Sequence, residues 1–203
     1  DIKSIDSHNM CEVYDRWPQI ASDNFSGNFS KVEIKNIDHI VFAGMGGSGT
    51  IGDVFASILS KTDIHVSVVK GYLLPKTVDD STLVVTTSIS GNTSETISIL
   101  KNVEKMNAEF VALSSGGIME KFCRDKKIKY YKIEEEHSPR ASFVGFLYSA
   151  LNILEQIVPV KKTDVSESIK LLFNIQKAIS SKNLNETNEA LQIAEWVKEI
   201  PMV

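Results

Sequence analysis

The chain has 203 residues, of which 42% are hydrophobic, 8% aromatic and 24% charged. That is ordinary globular composition, and it excludes a collagen, a coiled coil and a disordered tail. Lys and Arg number 22 against 26 Asp and Glu, a net charge of −4 without any basic cluster, so neither nucleic acid nor an anionic membrane is an expected partner.

No apolar run approaches the roughly 18–20 residues of a membrane span. The opening Asp1-Ile2-Lys3-Ser4 has none of the features of a signal peptide. Cys11 and Cys123 lie far apart, without CxxC spacing or a neighbouring His cluster, and read as free thiols of a cytoplasmic protein.

In chain order, residues 8–25 read as a helix, because Met10, Val13, Trp17, Ile20 and Ala21 recur at spacings of three and four, with Pro18 placed to start or kink it. Residues 26–36 are polar and Gly/Ser/Asn-rich, hence loop. A short apolar run, Ile40-Val41-Phe42-Ala43, has the length of a buried strand. A helix over 50–60 follows, then strands over 64–69 and 83–87, a helix over 93–106, a strand over 110–113, a short helix over 117–125 and a fifth strand over 128–133. Alternation of this kind predicts an α/β fold, a doubly wound five-stranded parallel sheet covered on both faces, over about residues 37–135. Three helices are predicted beyond it, over 141–157, 164–181 and 186–199. The terminal Ile200-Pro201-Met202-Val203 reads as the start of another strand, and with no Met at position 1 the chain reads as a segment of a longer protein.

Chemistry is concentrated at two predicted strand-to-helix junctions. At the first, Gly44-Met45-Gly46-Gly47-Ser48-Gly49-Thr50 fits the dinucleotide pattern GxGxxG. That pattern needs an acidic residue at the end of the second strand, whereas Val69-Lys70 stands there and Asp63 lies before the strand. It also approaches the nucleotide P-loop, but Thr50 occupies the place of the required Lys. A phosphate site for a smaller ligand fits better, with glycines admitting the anion to the backbone, the Ser48 hydroxyl beside it and a helix N-terminus behind. At the second junction, Thr87-Ser88-Ile89-Ser90-Gly91-Asn92-Thr93-Ser94-Glu95-Thr96 clusters hydroxyls around a glycine turn, with Asn92 and Glu95 at the spacing of a capping box. In a parallel sheet both junctions lie at the carboxyl edge, where ligands bind.

Together these residues resemble the SIS (sugar isomerase) domain, whose two signatures are matched by Gly44, Gly46 and Ser48 and by Ser88, Ser90, Gly91, Thr93 and Glu95. The resemblance implies a flavodoxin-like or Rossmann-like three-layer sandwich with an N-terminal helix and C-terminal helices. It also implies phosphosugar binding, with Gly46, Gly47, Ser48, Ser88, Ser90 and Thr93 holding the substrate phosphate. The run Gly-Met-Gly-Gly-Ser-Gly, Ser-Gly-Asn-Thr-x-Glu-Thr, His137-Ser138-Pro139-Arg140-Ala141 and the closing Ile-Pro-Met-Val further resemble the bifunctional phosphoglucose/phosphomannose isomerases, from about residue 10 onward.

From that resemblance follow a hexose-phosphate substrate, no metal or organic cofactor, and a homodimer. Arg140 would be the catalytic residue that stabilises an enediolate, and the general base and ring-opening His would lie in a second SIS-like domain. The implied organisation is a helical extension over 1–36, the SIS domain over 37–160, and a connection into that second domain over 161–203. The apolar helix at 141–157 could then present a surface to a missing partner. None of His8, His39, His65 and His137 matches the ring-opening His, and Glu134 to Glu136 reads as a solvated acidic run. The rival readings are a non-catalytic phosphosugar sensor and another SIS enzyme, such as the isomerase part of an amino-sugar synthase or a phosphoheptose isomerase.

Overall fold

The computed structural model describes residues 2–198; the strand start read at 200–203 lies outside them. The elements in order are α1 (Ile2–Ile5), α2 (Met10–Asp15), α3 (Trp17–Phe25), β1 (His39–Ala43), α4 (Gly47–Leu59), β2 (His65–Val69), β3 (Thr82–Ser88), α5 (Ser94–Leu100), β4 (Glu109–Ser114), α6 (Gly117–Lys126), β5 (Lys129–Lys132), α7 (Phe143–Ile153), α8 (Lys162–Ile179) and α9 (Glu189–Val197).

All strand pairs are parallel and the sheet order is β2-β1-β3-β4-β5. Every residue of β1 and of β3 is buried, as continuous apolar or hydroxyl-bearing runs at the centre of a parallel sheet should be. Alternate residues serve opposite faces. Ile40 and Phe42 join Leu83, Val85, Phe55 of α4 and Phe146 of α7 in one core. Val41 and Ala43 join Val84, Leu100 of α5 and Met119 of α6 in the other. Phe42 stacks on Phe55 with ring centroids 4.7 Å apart, and full burial of each such side chain stabilises the fold by about 1.5–3 kcal/mol.

Several boundaries differ from the sequence reading. The helix predicted over 8–25 begins at Met10 and breaks at Arg16, where Pro18 starts a new helix in its first turn. Asp6 accepts from the backbone N–H groups of Met10 and Cys11 at the start of α2. The helix predicted over 93–106 stops at Leu100, because Asn102 donates its side-chain amide to the Ser98 and Ile99 carbonyls and so competes with continuation of the ladder. The capping box does not form: Thr93, not Asn92, precedes α5, and no side chain caps it. The apolar helix at 141–157 is no partner surface. α7 is buried between the sheet on one side and Ala21 of α3 with Val165 of α8 on the other.

The approach of α3 to α7 is close because Gly145 lacks a side chain. A Cβ there would stand 3.3 Å from Ile20 Cγ2. Hydrogen bonds fasten the same interface: Ser149 Oγ donates to Asn24 Oδ1 at 2.8 Å, and Asn152 donates to the Phe25 and Gly27 carbonyls.

Candidate active site

The strand order reverses between β1 and β3, and in doubly wound sheets ligands bind in the crevice above such a point. A cleft of about 820 Å³ opens there. Its floor is the turn from β1 into α4, with Met45, Gly46, Gly47, Ser48 and Thr50. One wall is the segment after β3, with Ile89, Ser90 and Thr93. The opposite wall combines Ser138, Pro139, Arg140 and Phe143 with Met10 and Trp17 of the N-terminal helices.

Gly46 holds φ +53° and ψ −128° immediately before α4, a conformation that disfavours any side chain. Space beyond it is open, since a Cβ at Gly46 or Gly47 would meet nothing within 4 Å. Both glycines are exposed, and their N–H groups donate to no group among the described residues. The Ser48 N–H instead turns back to the Met45 carbonyl at 3.1 Å. Its hydroxyl, on a residue only 9% exposed, has no hydrogen-bond partner among the described residues. Two free N–H groups, one free hydroxyl and the positive end of a 13-residue helix therefore share one opening, an arrangement suited to an anion.

Ser90 and Thr93 line the cleft, but Ser88 does not: it is 1% exposed, with Oγ 2.8 Å from Thr93 Oγ1. Ser88 thus orients the Thr93 hydroxyl from beneath. Asn92 has a role its spacing did not announce. Its amide donates to the Ser90 carbonyl at 3.1 Å and accepts the Ile118 N–H at 3.1 Å, tying the hydroxyl-bearing turn to the start of α6. Gly91 completes this lock with φ +68°, in a place where a Cβ would overlap the Gly116 carbonyl.

Arg140 is exposed and forms no ion pair among the described residues. It does not pair with Glu134, Glu135 or Glu136, and Glu135 lies 3.4 Å from Ser115 Oγ. Lys70, also at the carboxyl edge of the sheet, is held by Asp53 at 2.6 Å. Arg140 is the only cationic side chain among the lining residues, and none of them is a carboxylate or a histidine. His137 lies outside the lining, with its ring 6.1 Å from that of His8. Tyr72, whose phenol is raised by the carboxylate of Glu95 beside it, also stands outside the lining. Among the described residues no group of three or more His, Cys, Asp or Glu is placed to hold a metal ion, and no helix is long and apolar enough to cross a membrane.

Sequence reasoning missed Met10 and Trp17, which reach the cleft from helices far away in the chain, and Phe143, which opens the helix just after Arg140. Their apolar periodicity signalled burial but carried nothing about a ligand.

A sequence model of the SIS domain matches residues 33–157. The bifunctional phosphoglucose/phosphomannose isomerase of Caldicellulosiruptor bescii is 29% identical over 198 residues, covering 94% of this chain and 58% of that protein. The enzyme of the same name from Thermoplasma volcanium is 36% identical over 145 residues, covering 71% and 45%. The chain thus spans about half the length of these relatives. Among solved structures, the C-terminal domain of glucosamine-fructose-6-phosphate aminotransferase from Francisella tularensis superposes with a TM-score of 0.63 at 18% identity, covering 94% of this chain and 60% of that one, a likeness of fold alone. The match across the sheet and both junctions, on a five-stranded parallel sheet of this order, places the chain in the SIS-domain family.

Proposed function

We propose that this chain is the phosphate-binding half of an aldose–ketose isomerase that interconverts glucose 6-phosphate and mannose 6-phosphate with fructose 6-phosphate. The observation that carries the reading is the cleft at the switch point, where the unpartnered donors of Gly46, Gly47 and Ser48 face the same space as Arg140. The glycine N–H groups, Ser48, Ser90 and Thr93 hold the phosphate, and Ser88 supports Thr93. Anchoring the sugar by its phosphate fixes the reacting carbons against the far wall and converts binding into orientation. Arg140 then stabilises the negative charge that develops on the sugar oxygens in an enediolate.

Moving the proton between C1 and C2 needs a general base within hydrogen-bond reach. The absence of carboxylate and histidine from the lining supports a division of labour in which a second SIS-like domain, reached through residues 161–203, brings the base. The protein would work in the cytoplasm as a homodimer without metal or organic cofactor.

The same absence favours one alternative, a phosphosugar sensor that needs no base. A coupled assay of the intact protein with fructose 6-phosphate separates the two. Turnover lowered about 100- to 1000-fold by Arg140→Ala, with phosphate binding retained, is the expected result. Binding without turnover in the intact protein selects the sensor.

A further inference from the structure

Arg140 projects from a turn whose own hydrogen bonds are local. The Ser142 N–H and Oγ donate to the Ser138 carbonyl at 3.0 and 2.8 Å, and the Glu136 N–H donates to Ser142 Oγ at 2.9 Å. These bonds shape the turn without fixing where it stands over the sheet. Burial of Ala141 and Ser142 places the end that runs into α7, and one hydrogen bond ties the turn to a distant segment: Trp17 Nε1 donates to the Ala141 carbonyl at 2.8 Å, across 124 residues of sequence. Among the described residues it is the only hydrogen bond from residues 137–141 to a segment outside the turn.

The donor is itself held firmly. The Tyr14 ring packs on the Trp17 indole with centroids 4.8 Å apart. Pro18, Ile20 and Ala21 of the same helix are buried, and Asn24 is bonded to Ser149 of α7. Trp17 and Arg140 line the same cleft.

We infer that Trp17 is a positioning residue: its indole N–H holds the Ala141 carbonyl, and so sets where Arg140 stands in the cleft. The inference rests on the proposed role of Arg140. It makes the N-terminal helices part of the catalytic apparatus rather than an appendage to the domain. Displacement of a reacting group by as little as 1 Å can cost about 100-fold in rate, so the loss of one distant bond is enough to matter.

The test uses Trp17→Phe in the intact protein, which keeps an aromatic ring in the wall, deletes the donor and shortens the ring system. Expected are a fall in kcat with fructose 6-phosphate of about 10- to 100-fold, a KM within about threefold of wild type, and faster amide exchange at residues 138–142. In an Arg140→Ala background the same substitution should change kcat less than about twofold, because coupled positions are not additive. Arg140→Ala without effect on kcat would remove the proposed role of Arg140, and this inference with it. An active-site role for Arg140 with unchanged kcat in Trp17→Phe would overturn the positioning role alone. So would an equal loss in both backgrounds, which marks a general effect on the fold, or unchanged exchange at 138–142, a readout that needs no turnover.

Discussion

Ser48→Ala separates phosphate binding from folding, because the Ser48 hydroxyl has no partner among the described residues. Removing it orphans no group, and position 48 lies in the first turn of α4, where alanine is a better helix former than serine. Stability should therefore change by less than about 0.5 kcal/mol, which in a chain of this size is under about 2 °C in Tm. Binding should respond differently. A hydrogen bond to a charged group contributes about 1.5–3 kcal/mol, so phosphate affinity should fall about 10- to 150-fold at about 1.4 kcal/mol per decade.

Calorimetric titration with fructose 6-phosphate, and with unphosphorylated fructose as the control, measures the loss; a thermal melt measures the rest. Ser88→Ala is the internal contrast. Its hydroxyl is buried and bonded to Thr93, so it should cost about 1 kcal/mol of stability and weaken binding less than Ser48→Ala does. Unchanged affinity in Ser48→Ala, or a melt lowered by several degrees, would refute the assignment of this hydroxyl to the ligand.

Three further outcomes follow from the same structure. Gly91→Ala combines a positive φ with overlap of the Gly116 carbonyl, and it should lower Tm by roughly 6–12 °C if the two sources together cost about 3 kcal/mol; a melt within 2 °C of wild type would show that the lock yields. His39, 5% exposed, has its pKa lowered, first by burial and then by the neighbouring charge of His65, against the weaker pull of the Thr77 backbone, Asp79 and Asp38. The unfolded chain therefore takes up a proton at this position before the folded chain does. Stability should be flat above the ordinary His value near pH 6.5 and fall as pH drops below it, with the slope reduced in His39→Gln. The buried Cys123 thiol is pushed up to about 11 by burial, so a thiol reagent at neutral pH should label the half-buried Cys11 in the folded protein and reach Cys123 only after denaturation.

The glycine–serine turn at 44–50 and the hydroxyl cluster at 87–96 were legible in the sequence because each sits inside one strand–turn–helix unit, and local backbone rules act over that range. The alternation of apolar runs with helical periodicity likewise announced a parallel sheet, since strands buried on both faces must read as continuous apolar runs. Local rules erred where a local competitor decided the outcome, as Asn102 did at the end of α5, whereas Pro18 starts α3 as its place in the sequence predicts.

What tertiary structure alone decided is which distant pieces meet. Spacing put Asn92 on its own helix, whereas the fold uses it to bind the start of α6. Ser88 and Ser90 are alike in sequence, yet β3 carries one beneath the sheet edge and the turn carries the other into the cleft. Trp17 looks like one more core residue on an amphipathic helix, and only the packing of α3 against α7 at Gly145 brings its indole to the turn bearing Arg140. The physical reason is that periodicity encodes which face of an element is buried, while the identity of its neighbour depends on where the chain returns, 26 residues on for Asn92 and 124 residues on for Trp17.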